Sequence, residues 1–307
     1  MDGNNANRPP AAADPAASQP SRRQVLYGAG AGLGLAALGP VLGRGHHPAG
    51  GTGRVTARAD ADRCLDFGQD WKFVLVNPNG TNDPTGAYTN AYKPGFDDSN
   101  WQVLDVPHDW AIYLTPVDLP NTSSATGFLQ TGLAWYRKHF TLPPSLAGQR
   151  ISIEFDGIYM NSTVWLNGQR LGNHPYAYTG YNFDVTDLVH ADGVTGNVLA
   201  VQVPSAQPSS RWYSGSGIFR NVYLVVTGPV HVARHGTFVT TPDLAANLRS
   251  GFAAVQVQTD VENDGSSAAS VTVAVTITDP HGRTAGQGTS TVRCPAARPG
   301  PPRSRLT

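Results

Sequence analysis

The chain has 307 residues and carries 22 basic and 22 acidic side chains, so its formal net charge is zero. That balance gives no electrostatic footprint for nucleic acid or for an anionic membrane surface. With 34 glycines, 24 prolines and short apolar runs, the composition favours many short strands joined by turns. The two cysteines, Cys64 and Cys294, include no CxxC and fit no zinc spacing. A bridge between them is not expected, because Cys294 falls in an irregular tail.

At the N-terminus, Ser21-Arg22-Arg23-Gln24-Val25-Leu26 leads into a Gly/Ala-rich, moderately apolar stretch that runs to Leu42. Twin arginines before a weak hydrophobic segment resemble a twin-arginine export signal. The competing reading is a membrane anchor. A spanning helix needs roughly 20 strongly apolar residues, and Gly28, Gly30, Gly32, Gly34, Gly39 and Pro40 weaken this one. Small-x-small patterns at Ala57-Arg58-Ala59 and Ala59-Asp60-Ala61 offer cleavage positions. Residues 1–60 are therefore assigned to a disordered N-terminus and signal. The mature protein is expected to be exported, with no membrane contact once the signal is removed.

The mature chain opens with an apolar and aromatic segment from Leu65 to Val76. A Gly/Asn/Pro-rich loop follows from Asn77 to Gly95, and a second irregular segment runs from Leu114 to Leu133. Loops of this length in a small domain usually line a site. Strand signals then become regular. Ala134 to Leu142 carries aromatics, Ile151, Ile153 and Phe155 alternate with polar residues, and Thr163 to Leu166 ends at Asn167-Gly168, a strong hairpin signal. Phe183 to Leu188, Leu199 to Val203 and Ile218 to Val226 follow. Short strands at this spacing read as a β-sandwich, and no segment predicts an amphipathic helix of three turns.

After Gly228-Pro229 a second unit begins. Val255 to Val261 and Val271 to Ile277 alternate around an Asn263-Asp264-Gly265 turn, which predicts a hairpin of an immunoglobulin-like sandwich, and a weak strand is expected near Thr284 to Val292. Such a sandwich needs about seven strands; only three to five fit here. The fold class is thus all-β: a jelly-roll sandwich over 64–228, an incomplete immunoglobulin-like sandwich over 229–293 and a disordered tail over 294–307. The Pro/Arg-rich stretch from Arg293 reads as a fragment boundary or a frameshift, or as a genuine basic tail.

Six motifs recur in one order: Gly68-Gln69-Asp70-Trp71-Lys72-Phe73, Pro107-His108-Asp109-Trp110, Trp135-Tyr136-Arg137-Lys138, Phe155-Asp156-Gly157, Val164-Trp165-Leu166-Asn167-Gly168 and the run from Arg211 to Val222, RWYSGSGIFRNV. Together they resemble the start of glycoside hydrolase family 2, its β-galactosidase-like members above all, over roughly Leu65 to Thr291. The resemblance implies a jelly-roll sugar-binding domain, an immunoglobulin-like domain and then a (β/α)8 barrel bearing two catalytic glutamates. A retaining pair stands roughly 5 Å apart. This sequence contains just two glutamates, Glu154 and Glu262. One lies in a predicted strand and the other beside a turn of the second predicted domain, so no residue is assigned a catalytic role.

What the resemblance leaves to this chain is recognition of a terminal β-galactoside, with the catalytic barrel as a missing partner. Asp109 can accept from two sugar hydroxyls, Arg211 can donate through a rigid fork, and Trp110 and Trp212 can stack on a sugar face. Asp109 capping a turn and Arg211 pairing with an internal acid are the competing structural readings. Trp135 and Trp165 are expected in the core, and Gly215 and Gly217 to serve backbone geometry. No cofactor is expected, and no metal at His108, which has no second ligand nearby. A stand-alone carbohydrate-binding module and a purely structural sandwich are the other functional readings.

Overall fold

The computed structural model describes residues 53–54, 64–206, 209–249 and 251–296. The twin-arginine segment, its cleavage positions and the stretch beyond 296 lie outside them. In chain order the strands are β1 (Gly53–Arg54), β2 (Cys64–Asp66), β3 (Trp71–Asn77), β4 (Gln102–Leu104), β5 (Gly132–Thr141), β6 (Arg150–Phe155), β7 (Ser162–Leu166), β8 (Gln169–His174), β9 (Tyr181–Asp184), β10 (Asn197–Ser205), β11 (Val222–Thr227), β12 (Val230–Thr240), β13 (Gln256–Asn263), β14 (Ala269–Thr278) and β15 (Thr284–Cys294). A six-residue helix, α1 (Leu244–Arg249), and three single 3₁₀ turns complete the described elements.

Two sheets make the jelly-roll. The larger runs β4-β3-β5-β10-β7-β8, with β1 alongside β5; the smaller runs β2-β11-β6-β9. Their facing sides bury Phe67, Trp71, Phe73, Tyr136, Phe140, Ile151, Ile153, Phe155, Leu199, Val201 and Leu224 in one core. The period-2 alternation of β6 produces this directly, because Ile151, Ile153 and Phe155 face inward while Ser152 and Glu154 are half-buried. At Asn167-Gly168, φ values of 51° and 84° give the mirror-image turn that matches strand twist, joining β7 to β8 as the sequence predicts.

β5 does not alternate; nearly every residue in it is buried. One face enters the sandwich core. The other is covered by the 78–101 loop, which packs Ala91, Trp101, Tyr88, Tyr92 and Phe96 against Trp135 and Trp165. This corrects the expectation that this loop lines a site. Its aromatic residues have apolar area to bury, and the outer face of β5 offers the surface to bury it against.

β1 lies within the stretch assigned to the leader, and it pairs in parallel with β5 through Gly53↔Phe140 and Arg54↔Thr141. In the last quarter the predicted hairpin does not form. β12 pairs with β13 and β14 with β15, so the Asn263-Asp264-Gly265 turn passes the chain from one two-stranded sheet to another. Cys294 is not in an irregular tail either: it ends the eleven-residue β15 and is buried, and the two cysteines are not joined in a disulfide.

By contact density the chain divides into two compact units. The larger takes in the described residues up to Val232 together with Val261–Ser270 and those from Arg293 onward, and the smaller consists of Ala233–Asp260 and Val271–Val292. No helix among the described residues is long and apolar enough to cross a membrane.

Candidate functional site

Four segments gather on the larger unit: residues 107–114 after β4, 156–161 between β6 and β7, 175–180 between β8 and β9, and 209–221 before β11. They are stitched by backbone. Tyr159 and Gly217 exchange N–H···O bonds of 2.9 and 3.0 Å, and the His108 N–H donates to the Ile218 carbonyl at 2.7 Å. Side chains add to this, with the Tyr178 hydroxyl donating to the Ser214 carbonyl at 2.5 Å and the Tyr159 and Ser209 hydroxyls in contact.

Gly217 is where the weave is tightest. Its φ is +101°, and a Cβ there would stand 2.3 Å from the Tyr136 hydroxyl and 2.7 Å from the His108 carbonyl. Only glycine meets both demands. Gly215, at φ +116°, shares the unusual conformation expected for both.

Asp109 is half-buried at the centre of this weave. Its Oδ1 accepts the Ala111 N–H at 3.1 Å and the Tyr213 hydroxyl. Burial raises its carboxyl above the ordinary value, against hydrogen bonds from Tyr213 and from the Ala111, Ser216 and Ile112 backbone that favour the charged form. The turn-capping reading is therefore realised, and the carboxylate is held in place by its neighbours. Beside it, His108 Nδ1 lies 2.9 Å from the Tyr136 hydroxyl, and burial lowers the His108 imidazole to about 4, leaving it neutral near pH 7.

Arg211 and Trp212 are exposed, Trp212 by 62 %, and Arg211 makes no ion pair among the described residues. The internal pairing that was the alternative for Arg211 is absent among the described residues, and both side chains face solvent. Trp110 is not. It is 2 % exposed, lies in the sandwich core against Phe73 and Tyr136, and its Nε1 has no hydrogen-bond partner among the described residues. Its role as a sugar platform is withdrawn: the chain turns at the 3₁₀ segment Ala111–Tyr113 and carries the indole inward.

The sequence reading missed the 175–180 connection. Tyr176 (57 % exposed) and Tyr178 (38 % exposed) meet edge to face at 5.8 Å, and Tyr178 packs on Phe219, whose ring Arg220 covers. The available signal was the run Pro175-Tyr176-Ala177-Tyr178, two tyrosines in a proline-led connection between strands. Arg220 thus caps an aromatic ring.

Glu154 lies mid-strand in β6, opposite Tyr223 on one side and Asn182 on the other. Glu262 belongs to β13, in a different sheet, with its carboxylate 3.6 Å from His231 Nε2. The two do not form a catalytic pair.

Residues 116–214 match the family model described as the glycosyl hydrolase 2 galactose-binding domain-like domain. Beta-galactosidase BoGH2A of Bacteroides ovatus is 42 % identical over 219 residues, which cover 71 % of this chain and 24 % of that protein. A putative beta-glucuronidase of Formosa agariphila is 34 % identical over 192 residues, 62 % of this chain and 17 % of its own length. Among solved structures, a glycosyl hydrolase family 2 member from Bacteroides cellulosilyticus superposes with a TM-score of 0.64 at 33 % identity, covering 75 % of this chain and 28 % of that one. The chain spans about a quarter or less of the length of these curated relatives.

Proposed function

With the chain belonging to glycoside hydrolase family 2 through its N-terminal domain, we propose that it supplies the sugar-recognition portion of an exported β-galactosidase-like enzyme. Chemistry belongs to a catalytic barrel with which it works. The observation that carries this reading is the exposed Arg211–Trp212 pair in the run RWYSGSGIFRNV, followed at once by Tyr213, whose hydroxyl donates to the Asp109 carboxylate. A guanidinium fork, a carboxylate and an indole face are the groups that bind the hydroxyls and the C–H face of a pyranose. Burial holds Asp109 in one orientation, so it loses little conformational freedom on binding.

Terminal β-galactosides are the proposed substrates, on the similarity to the Bacteroides ovatus β-galactosidase. Export rests on Arg22-Arg23 and the weak apolar segment after them. The test is direct. The purified chain is assayed on a chromogenic β-galactoside, alone and joined to the barrel of a family 2 β-galactosidase. Inertness alone, with activity in the joined protein that falls on Arg211→Ala, supports the proposal. Turnover by the isolated chain that survives purification would falsify the division of labour. Calorimetric binding of galactose by the chain alone would favour the stand-alone module instead.

A further inference from the structure

We propose that His231, Glu262 and Asp264 form a binding site for one divalent cation of the zinc type. All three residues lie in the larger unit, and the site would tie the first residues of β12 to the turn between β13 and β14. One ligand atom from each residue lies within 4.8 Å of the other two. His231 Nε2 and Glu262 Oε2 are 3.6 Å apart. Zinc–ligand distances of about 2.0–2.2 Å give a tetrahedral edge of about 3.4 Å, so these two atoms already stand near the spacing that a bound ion imposes.

The imidazole is also oriented for the task. Its other nitrogen, Nδ1, lies 3.0 Å from the Gly228 carbonyl oxygen. A carbonyl only accepts, so Nδ1 carries a proton there, and in the neutral ring Nε2 then presents a lone pair. That lone pair faces the Glu262 carboxylate, which is also an acceptor. A metal ion placed between them would be shared by both acceptors. The backbone-to-Nδ1 arrangement is the one that metal-ligating histidines use to fix tautomer and ring orientation.

The third ligand is held by the fold. The Asp264 N–H donates to the Pro229 carbonyl at 2.7 Å, and Asn263 Oδ1 accepts the Gly265 N–H at 2.9 Å, which sets the turn. Asp264 Oδ2 lies 3.2 Å from Arg150 Nε, and Arg150 is shared with Asp184. The second oxygen of Asp264 can face a cation while the first keeps Arg150. An imidazole with two carboxylates is a mixed N/O set, suited to a borderline ion such as Zn²⁺, whereas Ca²⁺ and Mg²⁺ take oxygen ligands. Three protein ligands leave a fourth position for water.

The test uses the full chain, stripped of metal by chelation and titrated calorimetrically with Zn²⁺, then with Co²⁺ followed by visible absorption. The expected result is one tight equivalent, the intense absorption of tetrahedral Co²⁺, and at least tenfold weaker Zn²⁺ binding in both His231→Gln and Glu262→Gln. The nine histidines of the chain offer other surface contacts for zinc, so the variants carry the decision. If His231→Gln fails to fold without metal, Glu262→Gln decides alone. Absence of a stoichiometric equivalent, undiminished affinity in the variants that fold, or a preference for Ca²⁺ over Zn²⁺ overturns the site.

Discussion

Arg137 Nε lies 2.6 Å from Asp98 Oδ2, and the guanidinium is wholly buried. The other guanidinium nitrogens donate to the carbonyls of Ala91, Lys93, Pro94 and Phe96, while His139 Nε2 reaches the same Asp98 oxygen. One side chain on β5 therefore satisfies a whole turn of the covering loop, where buried carbonyls would otherwise go unpaired. Burial opposes the Asp98 charge, but bonds from His139 and Arg137 outweigh it and hold the carboxyl below its ordinary value.

Arg137→Met is expected to destabilise the chain by about 3–5 kcal/mol, the scale for removing one partner of a buried charge pair. Arg137→Lys should rescue little of this, because an ammonium cannot reproduce the planar fork. Urea denaturation measures both. A loss below about 1 kcal/mol for the Met variant would contradict the anchoring role.

Gly217→Ala should fold poorly or not at all. The added carbon collides with the Tyr136 hydroxyl and with backbone at His108, and a positive φ of 101° adds strain. A loss above about 2 kcal/mol is expected. An alanine variant melting within a degree or two of the parent would show that this crossing is loose.

Stability should fall as pH drops from about 6.5 towards about 4. Burial depresses His108 to about 4 in the folded chain, so in this window the unfolded chain binds the proton and the folded chain does not. The stabilising contribution is fully present above 6.5 and gone below about 4. His174, lowered by burial, acts in the same sense, and Asp109, raised by burial, opposes it towards the acid end. His108→Gln should flatten the slope of unfolding free energy against pH, read by denaturant titration at several pH values. An unchanged slope would mean that His108 is solvated.

The two exposed residues of the run and the buried tryptophan should separate cleanly. Arg211→Ala and Trp212→Ala are expected to change stability by no more than about 0.5 kcal/mol, as exposed substitutions do, while weakening sugar recognition in the enzyme joined to its barrel. Trp110→Ala should cost about 3–5 kcal/mol through the cavity it leaves. Thermal melts beside the kinetic constants of the joined enzyme distinguish the groups. A large melting shift in Arg211→Ala would place that residue in the structure and not at the ligand.

Much of the motif series is legible because it encodes the fold. Trp71, Tyr136 and Phe155 are core residues, Lys138 donates to the Gln69 carbonyl, and Asn167-Gly168 is a turn. Period and turn signals act locally and find the core residues and the turn, whereas the Lys138–Gln69 bond joins residues 69 apart and is set by strand pairing. The burial of Trp110 was not legible. Its neighbours Asp109 and Ala111 form a turn, and which side of a turn points inward depends on strands far away in sequence. The failed hairpin at Asn263-Asp264-Gly265 has the same origin: a turn signal fixes a reversal of direction, not the sheet that the next strand joins.

The sequence by itself determined an all-β chain, the positions of most strands and the family to which its ordered motifs belong, since alternation and turn residues act over a few neighbours. Only the tertiary structure decided which side chains of those motifs meet solvent. It turned Trp110 inward, left Arg211 and Trp212 outward, covered β5 with the 78–101 loop, and set His231 against Glu262. Those outcomes depend on surfaces brought together from distant parts of the chain, and no local pattern carries that information.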